Sequence, residues 1–371
     1  MISFIHSSDW QMGMKRWYLQ SDQNTFDQDR LDAVRNVIAE AERNNCDFIV
    51  VAGDIFEEND PTERVYQQVL KILAKSRLPI YLLPGNHDYL TPGSVLDRIR
   101  KEENPNLIVL DSTEPRELRP GVEIIGTPLL GRDSDRDLLS ELLDTLGPNP
   151  GTRIIVTHGQ FDARGAEKNS VFDLAKAEAA IASGLVNYIA VGDTHSFSKI
   201  SEGIYFSGAP EVTDFHDIKT DGGERDSGVA ALVRIDDSAA PVVEKIRTGR
   251  WRFDLYTWDL NAGDSIESIR TQLDDYDDEG RTVIKFGVNG RVRMEELKEF
   301  GTMVEHYKET FCNVFERKHN TGLKLEPSEK DLEDLQFSGF IKDTVEELYA
   351  NDDTEALKEL FYIVDDLKES K

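Results

Sequence analysis

Cysteine is nearly absent from this chain of 371 residues: Cys46 and Cys312 are the two it has, far apart and in no paired spacing. That argues against a disulfide-stapled fold and against a thiolate zinc site. No apolar run approaches the ~18 residues of a membrane span, and the N-terminus enters a strand without a charged stretch followed by an apolar one, so a cytoplasmic protein is expected. A glycine-rich phosphate loop, a serine nucleophile elbow and internal repeats are also missing, which removes P-loop nucleotide hydrolysis. Positive charge is scarce: 43 Lys and Arg stand against 71 Asp and Glu, for a net charge of -28. A broad electrostatic surface for nucleic acid is hard to build from that balance. The acidity is uneven, however, gathering in Asp274-Asp275, Asp277-Asp278-Glu279 and beyond Glu326; such runs are usually solvated faces. A salt-adapted source or a basic partner subunit would equally explain it.

What is present is a repeated pattern at strand ends. The apolar run Ile80 to Leu83 leads into Gly85-Asn86-His87-Asp88, where hard oxygen donors and an imidazole crowd one corner and Gly85 lets the backbone approach an ion. Four other runs end alike. Phe4-Ile5 leads to Asp9-Trp10-Gln11, Ile49 to Val51 to Gly53-Asp54, Ile154 to Val156 to His158-Gly159, and Tyr188 to Val191 to Gly192-Asp193-Thr194-His195. A Gly-Asp corner alone is usually a turn, and a lone histidine usually a satisfied polar group. Five together point to one crevice, because open α/β sheets gather ligand-binding residues at the carboxyl ends of their strands.

The order Asp-x-(His), Gly-Asp, Gly-Asn-His-Asp, His-Gly, Gly-(His)-x-His from Asp9 to His195 resembles the calcineurin-like metallophosphoesterases. Within that family, Ile5-His6-Ser7-Ser8-Asp9-Trp10-Gln11-Met12-Gly13, Ala52-Gly53-Asp54-Ile55-Phe56 and Ser207-Gly208-Ala209-Pro210 resemble the SbcD-type DNA repair exonucleases, over roughly two-thirds of the chain. The resemblance implies an α/β fold, a four-layer β-sandwich flanked by helices, with a smaller α+β capping domain and a helical C-terminal tail. It also implies a manganese-dependent nuclease of double-strand-break repair that acts on DNA as a homodimer with an SMC-like ATPase of the SbcC type. The dimer contact would lie on the helices between Pro61 and Arg100.

By the same resemblance, one cation would be held by Asp9, Gln11, Asp54 and His195 and a second by Asp54, Asn86, His158 and Asp193. Asp54 would bridge ions about 3.5–4 Å apart and acidify a water for in-line attack on phosphorus. His87 would not ligate; it would face the scissile phosphate and stabilise charge or protonate the leaving group. The chain departs from the pattern twice, with Gln11 and Asp193 where histidines are usual. Both retain oxygen donors, and an oxygen-rich site favours manganese, or magnesium, over zinc. Lys15-Arg16-Trp17 follows the first motif and is a candidate for backbone contact and base stacking, or else a solvated loop.

Helices fill the gaps between strands: Leu31, Val34, Ile38 and Ala41 recur at helical spacing, as do Leu138, Leu139, Leu142, Leu143 and Leu146. Asp60-Pro61-Thr62-Glu63 predicts a helix start with Asp60 as cap and Pro61 first. Domains are expected at 1–247 (nuclease), 248–326 (capping) and 327–371 (acidic, helical). Leu357, Leu360, Phe361, Val364 and Leu367 form a stripe that would dock on the ATPase or pack on the cap. Two other readings stay open: a phosphomonoesterase or cyclic-nucleotide phosphodiesterase, and a metal-poor DNA-binding scaffold.

Overall fold

A computed structural model describes residues 1–102, 104–149, 151–162, 171–236, 240–317, 322–325, 340–351, 356, 360 and 363. The chain forms two compact units, one of residues 1–214 with 223–251 and one of residues 215–222 with 252–371. The expected junction at 247/248 compares with a crossing at Trp251–Arg252, preceded by the short excursion of residues 215–222.

In the first unit the strands are β1 (Ile2–Ser7), β2 (Phe48–Ala52), β3 (Ile80–Leu83), β4 (Leu107–Val109), β5 (Arg116–Arg119), β6 (Val122–Gly126) and β7 (Thr152–His158). Then come the short pair β8 (Gln160–Phe161) and β9 (Val171–Phe172), followed by β10 (Tyr188–Gly192), β11 (Phe197–Ser201) and β12 (Ile204–Ser207). After β13 (His216–Asp217) and β14 (Gly222–Gly223), β15 (Val229–Ile235) and β16 (Val242–Arg247) complete it. One sheet runs β16-β15-β1-β2-β3-β4 and a second runs β11-β12-β10-β7-β6-β5. The β1-β2-β3-β4 and β6-β7-β10-β12 stretches are parallel, so their carboxyl ends align.

The side-chain period of two sorts each strand onto two buried faces. Phe4, Phe48, Val50, Ile154, Val156, Tyr188 and Ala190 fill the space between the sheets. Their neighbours Ile5, Ile49 and Val51 face α1 (Gln23–Arg43), α2 (Glu63–Leu73) and α3 (Val95–Lys101). Ile155, Ile189 and Val191 face α4 (Leu138–Thr145) and α5 (Leu174–Ala182). Helix, sheet, sheet, helix is therefore the layer order, the α/β sandwich expected from the sequence.

One cap differs from the expectation. Helix α2 begins at Glu63, and Thr62 caps it with its side chain on the Val65 amide, so Pro61 precedes the cap. Thr62 lies in extended backbone (φ -57°, ψ 148°) and its hydroxyl reaches the N3 amide, which leaves Asp60 two residues too early. Strands β15 and β16, which extend the first sheet by antiparallel pairing on β1, had no ligand-rich end to announce them.

The second unit builds its sheet in the order β14-β13-β17-β18-β19, from β17 (Arg252–Asp259), β18 (Thr282–Val292) and β19 (Asn313–Glu316), with β20 (Gly322–Leu325) also on β18. Helices α6 (Ile266–Asp274) and α7 (Met294–Thr310) make the parallel crossovers. Trp258, Phe286, Phe300, Met303 and Val345 lie in its core, and Leu360 packs partly buried against it. Leu357, Phe361, Val364 and Leu367 of the expected stripe lie outside the described residues. Among the described residues no helix is long and apolar enough to cross a membrane.

Candidate metal centre

Parallel register places the ligand-bearing corners side by side. Gly192 stands opposite His158 at the ends of β10 and β7, and Ala52 stands opposite Leu83 at the ends of β2 and β3. Beyond the strands the corners are tied together: the Asp9 amide donates to the Gly53 carbonyl (3.0 Å) and the Gln11 amide to the Asp54 carbonyl (2.9 Å). Four candidate ligands sit in left-handed backbone, Asp9 (φ 55°), Gln11 (44°), Asp54 (54°) and Asp193 (96°). Outside glycine this conformation costs about 1–3 kcal/mol per residue, and it collects where surrounding structure forces side chains toward a functional point.

The corners converge. Asp9, Asp54 and His158 each offer a ligand atom within 4.8 Å of the others, and all three are buried. His158 Nε2 is 2.8 Å from Asn86 Oδ1, 3.4 Å from Asp54 Oδ2 and 3.8 Å from Asp193 Oδ1. His195 Nε2 is 3.9 Å from Asp9 Oδ1 and 3.2 Å from the Gln11 amide nitrogen. The Asp193 amide donates to the Asp9 carboxylate at 3.1 Å. Asp9, Gln11, Asp54, Asn86, His158, Asp193 and His195 thus form one continuous polar cluster. Close approach is permitted by glycine: a Cβ on Gly85 would fall 2.1 Å from Asp54 Oδ1, and one on Gly192 would fall 1.9 Å from the Ala52 carbonyl oxygen.

The donor set fits divalent cations. Metal-binding histidines characteristically spend their second ring nitrogen on a carbonyl or carboxylate, which fixes the tautomer and aims the other lone pair. His158 Nδ1 meets the Ala52 carbonyl (2.8 Å) and His195 Nδ1 meets Glu224 (2.8 Å), so both Nε2 atoms face the carboxylates. Electrostatics agree with a site short of positive charge. Burial pushes the Asp9 carboxyl up to about 6, against the pull of His195 and His158. For His195, burial favours the neutral ring but the Glu224 hydrogen bond and nearby Asp9 override it, raising the imidazole to about 9. His158 is likewise raised well above 6.5, burial being outweighed by Asp54.

His87 is half-buried at the rim. Its backbone amide donates to Asp54 Oδ1 (2.9 Å) and its Nδ1 meets the Glu57 carbonyl (2.7 Å). Lys15 pairs with Asp27, Arg16 donates to the Thr213 carbonyl through Nε (3.2 Å) and Nη2 (3.0 Å), and Trp17 is 74% exposed. His6, next to the site on β1, contacts the Tyr188 hydroxyl at 3.1 Å, and burial lowers it to about 3, which keeps it neutral.

Several supporting residues lie outside the expected ligand set. Asp88 takes amides from both ligand corners: Gly85 (2.8 Å), Ile55 (2.7 Å) and, more distantly, Phe56 and Asp54. Arg30, buried in the middle of α1, donates to the Trp10 carbonyl and, at 3.0 Å, to the Val212 carbonyl, bracing the backbone between Asp9 and Gln11. Gln160 donates to Asp193. An arginine in a helix and a glutamate 29 residues past a histidine look like any others until the fold closes.

A carboxylate and imidazole cluster at the aligned carboxyl edges of two stacked sheets defines a metal-dependent hydrolase of phosphate esters. Residues 2–197 match the calcineurin-like phosphoesterase family model, and the chain belongs to that family. It is similar to the DNA double-strand break repair protein Mre11 of Sulfurisphaera tokodaii, at 24% identity over 91% of this chain and 88% of that protein. The same-named protein of Sulfolobus acidocaldarius is 23% identical over 90% of this chain and 89% of its own length. A subunit of the nuclease SbcCD from Bacillus subtilis is 28% identical over 38% of this chain and 36% of its own.

Proposed function

We propose that this protein is a manganese-dependent DNA nuclease of double-strand-break repair, with magnesium as a weaker substitute. The observation that carries the reading is the buried Asp9, Asp54 and His158 cluster, supported by relatives named for double-strand break repair that match across most of the chain and by one named as a nuclease subunit over 38% of it. Asp9, Gln11, Asp54 and His195 would hold one cation and Asp54, Asn86, His158 and Asp193 the other. Bound divalent cations supply Lewis-acid polarisation of a phosphoryl oxygen and an acidified water. Gln11 would present its amide oxygen by turning the amide away from its present contact with His195, and Gln160 would hold Asp193 in place. His87, anchored through Nδ1, keeps Nε2 for the scissile phosphate or the leaving oxygen.

Lys15, Arg16 and Trp17 form the substrate edge of this reading, with Trp17 stacking a base. The second unit would act as the cap and residues 327–371 as the segment that docks an SMC-like ATPase, the whole working as a cytoplasmic homodimer. Cations at the cleft offset a net charge of -28 where the substrate phosphates must sit. Incubation with manganese and labelled DNA, beside a small chromogenic phosphodiester, tests the proposal. DNA cleavage is expected; cleavage of the small ester alone would favour a phosphomonoesterase or cyclic-nucleotide phosphodiesterase, and silence on both without bound metal would favour a binding scaffold.

A further inference from the structure

Glu224 lies outside every strand-end motif, yet it is the partner of a ligand histidine. One oxygen, Oε1, is 2.8 Å from His195 Nδ1 and also accepts the Thr213 hydroxyl; the other, Oε2, accepts the Thr213 amide at 2.8 Å. Thr213 Oγ1 is itself 2.5 Å from His195 Nδ1. Glu224 and Thr213 are both buried, so this triangle is shielded from competing water. The two residues also bracket residues 215–222, where the chain leaves the first unit and returns.

We propose that Glu224 is the positioning residue of the metal centre: it holds the proton of His195 on Nδ1 and so fixes the Nε2 lone pair toward Asp9 and Gln11. The inference rests on the metal-binding reading of the site but not on DNA being the substrate. A neutral imidazole in water populates both tautomers and rotates about its side-chain bonds; a buried carboxylate on Nδ1 removes both freedoms. Thr213 acts behind it, since its hydroxyl and amide together leave the carboxylate one orientation.

The test uses the full chain and two readouts: calorimetric affinity for manganese alone and, in the metal-free chain above pH 9 where the His195 ring is neutral, the imidazole tautomer from 15N chemical shifts of labelled histidine. Wild type is expected to show His195 as the Nδ1–H tautomer. Glu224→Ala should mix the tautomers and weaken manganese binding about 10- to 100-fold at one site. Glu224→Gln keeps an oxygen acceptor, so it should preserve the tautomer and stay within roughly tenfold of wild type. Thr213→Val leaves the Glu224 to His195 bond intact and should retain the tautomer. Should Glu224→Ala fail to fold, the Gln and Val variants decide: preserved tautomers support the assignment, and a lost tautomer with wild-type manganese affinity overturns it. A folded Glu224→Ala with unchanged tautomer and affinity also overturns it. A wild-type chain that binds no manganese would overturn both this inference and the proposed function, whereas intact binding and tautomer without DNA cleavage would overturn the substrate reading alone.

Discussion

The two compact units both end parallel strands in Asp and Asn, and they use those residues in opposite ways. In the second unit β17 closes with Asp259, whose carboxylate accepts the Asn261 amide at 3.0 Å, while the Asn261 side chain binds both backbone groups of Arg291. There Asp259 closes its own turn and Asn261 is spent on the backbone of the neighbouring strand β18. In the first unit Asp9, Asp54, Asn86 and His158 reach across from separate strands to one another. Backbone geometry follows the same division: Asp9, Gln11, Asp54 and Asp193 have positive φ in the first unit, and among the described residues of the second only Asp221 does outside glycine. A polar strand end becomes a site when the backbone aims it away from its own turn.

The strongest way to break the comparison is to remove one carboxylate from each unit. Asp54→Ala should lower manganese-dependent hydrolysis by at least on the order of 10³-fold and weaken cation binding in calorimetry, because it faces both histidine corners. Asp259→Ala should cost about 1 kcal/mol in denaturant unfolding and leave turnover unchanged. If both variants lost activity alike, the division between site and turn would be wrong.

His87→Asn sharpens the contrast within the first unit. It should reduce kcat about 10²- to 10⁴-fold while calorimetric manganese affinity holds, since the ring contacts the Glu57 carbonyl and no ligand. Conversely, Phe300→Ala in the core of the second unit should cost about 3–5 kcal/mol in that unit's unfolding and leave manganese affinity as it was.

A pH titration separates the units by charge. His195 is raised to about 9 in the folded chain against 6.5 for a free imidazole. Its contribution to the stability of metal-free protein is therefore fully present below pH 6.5 and lost as pH rises through about 9. Thermal midpoints of metal-free protein should fall across that window, and saturating manganese should abolish the slope because ligation requires the neutral ring. A flat metal-free profile would break the coupling between His195, Glu224 and Asp9. The smallest effect is expected from Trp17→Ala: stability within about 0.5 kcal/mol, with weaker DNA turnover by roughly tenfold from lost stacking and no change on a small ester.

The strands that end in ligands were legible because each is a short apolar run that gives way to carboxylate, imidazole or amide side chains; Ile80–Leu83 falls where the pattern puts it. The start of α2 was misplaced by two residues, since Asp60 and Thr62 are both good caps and only the observed backbone chooses Thr62. Glu224, Arg30 and Gln160 were invisible for a different reason: their roles are hydrogen bonds to partners 20 to 182 residues away.

The order of amino acids alone determined which side chains were available and at which strand ends, because alternation and glycine punctuation act over a few residues. It determined the family as well, since the motif order runs from Asp9 to His195. Tertiary structure decided which nitrogen of His158 and His195 faces the carboxylates, which carboxylates are stranded by burial and which close turns. Those outcomes depend on distances between segments that become neighbours only when two sheets stack, where the exclusion of water makes every contact electrostatically decisive.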